Sequence, residues 1–248
     1  MNRRDFLMHS TAAAATTTLS NAPLIAGVAA EEPGICVLVV DTDRASAPID
    51  KRIYGQFLEH INHSVEDGLF AEQIRGAGFE GADFETYWQP STKQGQVEIA
   101  EIDFQNGKKS IRLHVNGGEA GIRQGRIFLE ADTKYDGFLW LKRENASPKL
   151  SLRVLGSNGS VLMSVLLAST ETDWNELTFS FTSPVHDTQA TIEIVASGHG
   201  SLLVDFISLA RADVRRDGML RPDLLGALRG LEPSFIRWPG GSFASTYK

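Results

Sequence analysis

The sequence contains one cysteine in 248 residues, Cys36, so no disulfide can form within the chain. Cys36 lies in the apolar run ICVLVV, which favours a buried strand thiol over a nucleophile. Basic residues are few, with 24 Lys and Arg against 31 Asp and Glu. The resulting net charge of −7, without a basic stripe, argues against a nucleic-acid partner. No segment resembles a phosphate-binding loop, a nucleotide fingerprint or a zinc motif, so no cofactor or metal is expected.

The remaining composition is that of an ordinary globular protein, with 42% hydrophobic and 22% charged residues. The length of 248 residues is compatible with one (β/α)8 barrel or with two smaller domains. No uninterrupted run of about 20 apolar residues is present, which argues against a membrane-spanning helix.

The amino-terminal residues 1–30 are similar to a twin-arginine export signal. Arg3 and Arg4 precede Phe6 and Leu7, and a weakly apolar Ala/Thr-rich stretch follows. Small residues near position 30 suit cleavage before Glu31 and predict a periplasmic or secreted protein, with no membrane contact in its mature form. A disordered tail is the alternative interpretation.

Two short segments, YGQFLEH at residues 54–60 and IRWPGGSFASTY at residues 236–247, each read as a β-strand that ends in polar residues. We expect strands at 53–58 and 234–238, the first ending at Glu59 and His60 and the second at Arg237 before a Pro-Gly-Gly break. Polar groups at the carboxyl ends of parallel strands are typical of active sites. A further apolar run predicts a strand at 35–41.

The middle of the chain alternates apolar and polar residues, as in antiparallel strands with one solvated face. Turn residues at 116–118, 136–137, 158–159 and 198–200 separate these runs. The pattern predicts an eight-stranded β-sandwich of the jelly-roll type. The eight predicted strands are IRLHV, GRIFLEA, GFLWLKR, KLSLRVL, SVLMSVLL, ELTFSFT, ATIEIVA and SLLVDFISL.

Helical spacing returns after this region. Leu220, Leu224, Leu228 and Leu231 repeat on one helical face, and Pro233 ends the run just before the strand at 234–238. A helix joined to a strand by a short link is the αβ step of a parallel α/β fold. A shorter helix is predicted at 64–75.

The order of these patterns predicts an insertion. The first strand of an α/β domain ends near Glu59, whereas its helix begins only near residue 220, so the sandwich lies inside the first βα connection. Glu59 and Arg237 should then be neighbours on one rim. We divide the chain at 1–30, the signal; 31–81, the first strands of a barrel region; 82–212, the inserted sandwich; and 213–248, the first helix and second strand of that barrel.

The two strand segments, together with GLFAEQIRGAGFEG at residues 68–81, resemble the start of the catalytic domain of α-L-arabinofuranosidases of glycoside hydrolase family 51. The resemblance implies a retaining glycosidase on a (β/α)8 barrel, truncated in this chain. Some members carry a carbohydrate-binding-module-like β-sandwich at the same place. The implied fold class is therefore mixed, with a jelly-roll sandwich inserted after the first strand of the barrel.

The resemblance also implies roles for three substrate-binding residues. Glu59 corresponds to the family glutamate that accepts hydrogen bonds from furanose hydroxyls, and Arg237 to the arginine that orients the nucleophilic carboxylate and keeps it ionised. Ser242 occupies a position where the family has Asn or Cys. As structural alternatives, Glu59 caps a helix or forms a salt bridge, and Arg237 pairs with a barrel-lining acid. Both catalytic glutamates are expected beyond Lys248.

The resulting hypothesis is the amino-terminal part of an exported α-L-arabinofuranosidase that releases arabinose from plant polysaccharides, inactive as this chain alone. Its expected partners are arabinose-containing polysaccharides or oligosaccharides, and it can be a homo-oligomer when full length. Two alternatives stay open: a non-catalytic carbohydrate-binding protein, and a related enzyme that acts on glucan or xyloglucan.

Other residues are weaker candidates. His60 and His63 have the spacing of a metal pair only if both lie on a helix, and His60 is better placed to pack beside Glu59. Trp88 and Trp174 are candidates for stacking on sugar rings, whereas Trp140 is expected in the core.

Overall fold

The computed structural model describes residues 37–41, 43, 47–146, 148–169 and 171–246. The chain divides into one unit at residues 1–48 and a second at residues 49–248. The predicted export signal and Cys36 lie outside the described residues. Residues 37–41 carry no strand and their apolar side chains are exposed, so the strand prediction is wrong for these residues. The described part of their unit contains no second strand with which they could pair.

The two polar-ended segments pair side by side. β1 (Gln56–Phe57) follows a 3-10 turn at Lys51–Tyr54 and lies parallel to β9 (Ile236–Arg237), with Phe57 opposite Arg237. Hydrogen bonds continue the ladder beyond the strands, because the amides of Leu58 and His60 donate to the carbonyls of Arg237 and Pro239, each at 3.0 Å. The regular strands are shorter than expected, but their predicted proximity is confirmed.

Between these strands the chain forms a short helix and a sheet of seven antiparallel strands. In this sheet β2, β3, β8, β4 and β7 lie in that order, and β5 pairs with β6 on one side and β8 on the other. The elements are α1 (Asp83–Tyr87), β2 (Gln89–Ala100), β3 (Ser110–Leu129), β4 (Lys134–Ala146), β5 (Lys149–Leu155), β6 (Val161–Leu167), β7 (Asn175–Thr182) and β8 (Asp187–Arg211).

Three of the four expected turns lie within strands. β3 continues through 116–118, β4 through 136–137 and β8 through 198–200, and only the turn at 158–159 is confirmed. In β3 and β8 the glycine-rich positions form a β-bulge instead, because Gly117 adopts φ +86° and the register shifts between Asn116 and Gly118. Glycine permits a bulge as readily as a turn, so the turn chemistry alone did not distinguish them. β2 was not predicted.

The bulges bend the long strands so that one sheet folds into two layers. The first part of β8 pairs with β5, and its second part, from residue 200, pairs with β4, while β3 follows β8 along both parts. Side chains from both parts join a single buried cluster, which places the layers face to face as a sandwich. This core includes Ile111, Leu113, Ile122, Leu139, Leu141, Leu150, Leu152, Ile192, Ile194 and Leu209.

The chain enters and leaves the sandwich through two adjacent segments, 69–77 and 207–221, which we call the neck. The amide of Ala71 donates to the carbonyl of Met219 at 2.8 Å, and the amide of Arg221 donates to that of Leu69 at 2.9 Å. The helix predicted at 64–75 is therefore wrong, since these backbone groups bond across the neck rather than along a helix.

A largely buried carboxylate, Glu72, ties the neck to the sandwich. It accepts hydrogen bonds from the amides of Leu209 at 2.8 Å and Ile74 at 3.0 Å, and from the hydroxyl of Ser208. Ser208 in turn accepts a hydrogen bond from the guanidinium of Arg215 at 2.7 Å. Burial raises the pKa of Glu72 above its ordinary value of 4.5, and these hydrogen bonds oppose that shift.

Two helices connect the sandwich to β9. α2 (Ala212–Arg216) follows β8 directly. α3 (Pro222–Gly230) contains Leu224 and Leu228 of the predicted leucine repeat, with Pro222 in its first turn, while Leu220 and Leu231 lie just outside it. The prediction of a helix followed closely by a strand is confirmed here. None of the helices in the described ranges is long and apolar enough to cross a membrane.

The turn after β9 packs closely against Glu59. Gly240 is buried with φ +110°, and a Cβ at this position would lie 2.3 Å from the Cβ of Glu59. Only glycine combines this backbone conformation with such a close approach.

We expect Glu72→Gln to remove a pH-dependent loss of stability. Because the folded-state pKa of Glu72 lies above its ordinary value of 4.5, the protonated form stabilises the fold, and this contribution is lost as pH rises through the folded-state pKa. We measure the free energy of unfolding of both proteins in urea between pH 4 and pH 8. The value for the variant minus the value for the wild type should increase as the pH rises. Glu171→Gln, at an exposed position, serves as the control. The prediction would be contradicted if the difference from the wild type were independent of pH for both variants.

Gly240→Ala should open the ladder between β1 and β9, because the added Cβ collides with Glu59. The matched control is Gly218→Ala, where φ is +89° but nothing lies within 4 Å of the added Cβ. We expect about 1–3 kcal/mol more local destabilisation in the first variant. Hydrogen exchange at the amides of Leu58 and His60 measures it, and equal exchange in both variants would count against the close contact.

Candidate functional site

The carboxyl ends of β1 and β9 bring the predicted residues to one place. Side chains alternate along paired strands, so Phe57, Glu59 and Arg237 belong to one face and His60 and Trp238 to the other. The ring contacts agree with this alternation. The guanidinium of Arg237 lies over the ring of Phe57 at 5.6 Å, and His60 stacks on Trp238 with ring centroids 5.8 Å apart.

Arg237 is exposed at the end of β9. Within the described ranges, no Asp or Glu oxygen lies within 4.0 Å of its guanidinium. No carboxylate of these residues therefore forms an ion pair with Arg237. The predicted alternative, a pairing with a barrel-lining acid, is not seen among these residues. The guanidinium is thus exposed and lies over an aromatic ring.

Glu59 is half-buried and lies against the turn after β9. Its Oε1 accepts a hydrogen bond from the amide of Phe243 at 3.2 Å, in the first turn of the 3-10 helix Ser242–Thr246. This is the helix-capping contact that the sequence left open as a structural alternative. A carboxylate has several acceptor positions, so one amide does not exhaust the capacity of Glu59.

Ser242 begins the same 3-10 helix and is exposed. Its carbonyl accepts a hydrogen bond from the hydroxyl of Ser245 at 2.8 Å. Glu59 therefore contacts the 3-10 helix that begins at Ser242. Glu59 and Arg237 lie at the ends of two paired strands, and Ser242 lies just after the second.

The two histidines do not converge on a common point. His60 Nε2 lies 3.4 Å from Glu66 Oε1, and His63 Nδ1 lies 3.2 Å from Asp67 Oδ2. Among the described residues, no group of three or more His, Cys, Asp or Glu side chains lies close enough together to hold a metal ion. His60 also contacts Phe243 at a centroid distance of 5.4 Å, so it packs beneath the turn that bears Ser242.

Neither tryptophan candidate is fully exposed. Trp88 is 3% exposed, and its indole nitrogen donates to the carbonyl of Gly76 at 3.1 Å, so the prediction of sugar stacking is wrong for this residue. Trp174 is half-buried and donates to Asp103 Oδ1 at 3.0 Å. The neighbouring Tyr87, which the sequence reading did not single out, is exposed. Burial of Trp88 was not visible in the sequence, since alternation assigns opposite faces without saying which one meets the core.

The strand-end site is an open surface. Two cavities of about 490 and 570 Å³ flank the neck, and Asp67, Phe70, Glu72 and Arg75 line both of them. Neither cavity is lined by Glu59, Arg237 or Ser242. The site can offer a carboxylate acceptor, a guanidinium donor and a hydroxyl to a hydroxyl-rich ligand, but retaining hydrolysis requires two carboxylates, and β1 and β9 present one.

Comparison with known proteins identifies relatives along most of the chain, although no family model matches it. "Alpha-L-arabinofuranosidase 1" of Arabidopsis thaliana is 25% identical over 234 residues, which cover 86% of this chain and 34% of that protein. "Extracellular exo-alpha-L-arabinofuranosidase" of Streptomyces chartreusis is 28% identical over 246 residues, covering 94% and 29%. The chain thus spans about a third of the length of these curated relatives.

A solved structure shares the fold. The arabinose-bound MgGH51 α-L-arabinofuranosidase superimposes with a TM-score of 0.68 at 21% identity, over 80% of this chain and 36% of that protein. The superimposed region is larger than the sandwich alone. The resemblance of this chain to the α-L-arabinofuranosidases of glycoside hydrolase family 51, which its sequence motifs indicate, is therefore confirmed.

Proposed function

We propose that this chain is the amino-terminal, sugar-binding part of an exported, retaining α-L-arabinofuranosidase that acts on arabinose side chains of plant polysaccharides. The observation that carries the proposal is the parallel pairing of β1 and β9, which assigns Glu59 and Arg237 to one face at the ends of adjacent strands. Relatives named as arabinofuranosidases support the same reading.

The exposed apolar side chains of the strand pair support a larger parallel sheet. Phe57 is 61% exposed, and Ile236 and Trp238 are also exposed. Parallel sheets in proteins are buried on both faces, and two strands alone make a marginal sheet. We infer that β1, α3 and β9 begin a (β/α)8 barrel, with residues 31–81 and 213–248 as its parts and 82–212 as the inserted sandwich.

In this proposal Glu59 and Arg237 have separate tasks. The carboxylate of Glu59 keeps the bond from the Phe243 amide and uses its other acceptor positions for vicinal furanose hydroxyls. The guanidinium of Arg237 orients an anionic carboxylate that attacks the sugar, and its fixed charge keeps that group ionised. Ser242 donates one hydrogen bond to the sugar from the turn.

The attacking carboxylate and the acid/base belong, in this proposal, to residues beyond Lys248. Retaining hydrolysis needs this pair about 5 to 5.5 Å apart, flanking the scissile bond. Export is supported by the twin arginines of the amino terminus and by the relative named as extracellular. An arabinose-containing polysaccharide is then the expected partner of the mature protein.

The 248-residue chain alone should not hydrolyse 4-nitrophenyl α-L-arabinofuranoside, because in this proposal the nucleophile and the acid/base both belong to residues beyond Lys248. Release of nitrophenol should equal the uncatalysed background over a day. Turnover that survives repeated purification, and that disappears in Glu59→Gln, would show that the catalytic pair lies within these residues.

In a longer product that continues this chain and hydrolyses the same substrate, Glu59→Gln and Arg237→Lys should each lower kcat/KM about 10- to 100-fold, the effect of losing one hydrogen bond to a charged group. Arg237→Lys keeps the charge but loses the planar pair of donors. The matched controls are Glu232→Gln and Arg229→Lys, which change exposed residues near α3. Equal activity of site and control variants would refute the assigned roles.

A further inference from the structure

A third cavity lies on the sandwich itself. It is a cleft of about 330 Å³ where the end of α1, the start of β2, the middle of β3 and the start of β8 meet the turn between β5 and β6. The side chains that line it include Tyr87, Gln89, Arg123, Gln189 and Thr191. None of the strand-end residues Glu59, Arg237 or Ser242 lines this cleft.

The walls of the cleft are held in place by one carboxylate outside it. Asp187 accepts hydrogen bonds from the amide of Ser157 at 2.7 Å and from the amide of Gln189 at 2.8 Å. These backbone bonds lower the pKa of Asp187. The turn is closed further by the amide of Gly156, which donates to the carbonyl of Ser160 at 2.9 Å. The two loops that flank the cleft are thus fixed to each other, which reduces the entropy lost when a ligand binds.

The polar groups inside the cleft are largely uncommitted. Arg123 makes one long hydrogen bond, 3.3 Å, to Gln89 Oε1, and no carboxylate of the described residues lies within 4.0 Å of its guanidinium. By contrast, Arg153 on β5, a strand that also pairs with β8, forms ion pairs with two carboxylates. Within the described part of the chain, the side chains of Gln189 and Thr191 neither donate nor accept a hydrogen bond.

One wall is aromatic. Tyr87 is 38% exposed, whereas Trp88 beside it is buried, because the chain straightens after α1 and the two side chains point to opposite sides. The cleft therefore combines a partly exposed ring with a guanidinium, two amides and a hydroxyl. Its single positive charge, in a protein of net charge −7, does not suit a polyphosphate. Its few apolar atoms do not suit a hydrophobic peptide.

We propose that this cleft binds a short segment of a polysaccharide chain. The apolar face of one sugar ring packs against Tyr87. The guanidinium of Arg123 and the amides of Gln89 and Gln189 bond to its hydroxyls, since each offers donors or acceptors in pairs that match vicinal hydroxyl groups. A second sugar site on the same chain raises the local concentration of polymer at the strand-end site.

This proposal does not rest on the function proposed for the strand-end site, and the experiment separates the two. Binding of xylohexaose and of linear arabinohexaose to the 248-residue chain is measured by isothermal titration calorimetry. We expect one of them to bind, and Arg123→Ala and Gln189→Ala each to weaken that binding about 10-fold or more. Arg229→Ala, an exposed arginine on α3, is the matched control, and Glu59→Gln tests the strand-end site.

The outcomes are distinct. Unchanged affinity in Arg229→Ala and Glu59→Gln, together with loss in the two cleft variants, supports the cleft. Absence of binding to both oligosaccharides, or equal affinity of Arg123→Ala and wild type, overturns it. Loss in Glu59→Gln alone assigns the sugar to the strand end and also overturns the cleft. Chemical shift changes at the amides of Gln89, Ser157 and Thr191 provide a second readout that does not depend on the folding of any variant.

Discussion

The hydrogen bonds across the neck are the constraint on which the rest of the structure depends. A folded module can interrupt a βα connection only if its two ends return to the same place, and here segments 69–77 and 207–221 run beside each other with paired backbone groups. Because the ends of the sandwich meet, the helix α3 and the strand β9 can come back to β1 as if the sandwich were absent. The parallel contact between Phe57 and Arg237 is the consequence.

The neck is polar, and its polarity has a reason. The side-chain amide of Gln124 in β3 accepts a hydrogen bond from the backbone N–H of Arg75 at 2.9 Å and donates one to the backbone carbonyl of Arg75 at 2.8 Å. Glu72 accepts hydrogen bonds from two backbone amides and a serine hydroxyl. The junction between the sandwich and the strand pair is not covered by regular strands alone, so side chains satisfy the backbone groups that it leaves unpaired. Burial of Glu72 costs desolvation free energy, which these hydrogen bonds offset in part.

The strand-end site and the sandwich cleft differ in how their polar groups are presented. At the strand end, Glu59 and Arg237 are presented on an open surface among exposed apolar side chains, which suits a site that a larger sheet would enclose. In the cleft, loops fixed by Asp187 surround Arg123 with neutral amides and one tyrosine. The first arrangement places a carboxylate and a guanidinium on one exposed face, whereas the second places one guanidinium among neutral hydrogen-bonding groups.

The sequence by itself determined the antiparallel sandwich and the helix α3, because hydrophobic periodicity is a local signal. The order of the patterns along the chain also predicted the proximity of Glu59 to β9. Tertiary structure decided the rest. Glycines at 116–118 and 198–200 became bulges rather than turns since long strands β3 and β8 paired across them, and segment 64–75 lost its predicted helix to backbone bonds in the neck. Trp88 rather than Tyr87 was buried for the same reason: alternation separates two faces, and only packing decides which of them meets the core.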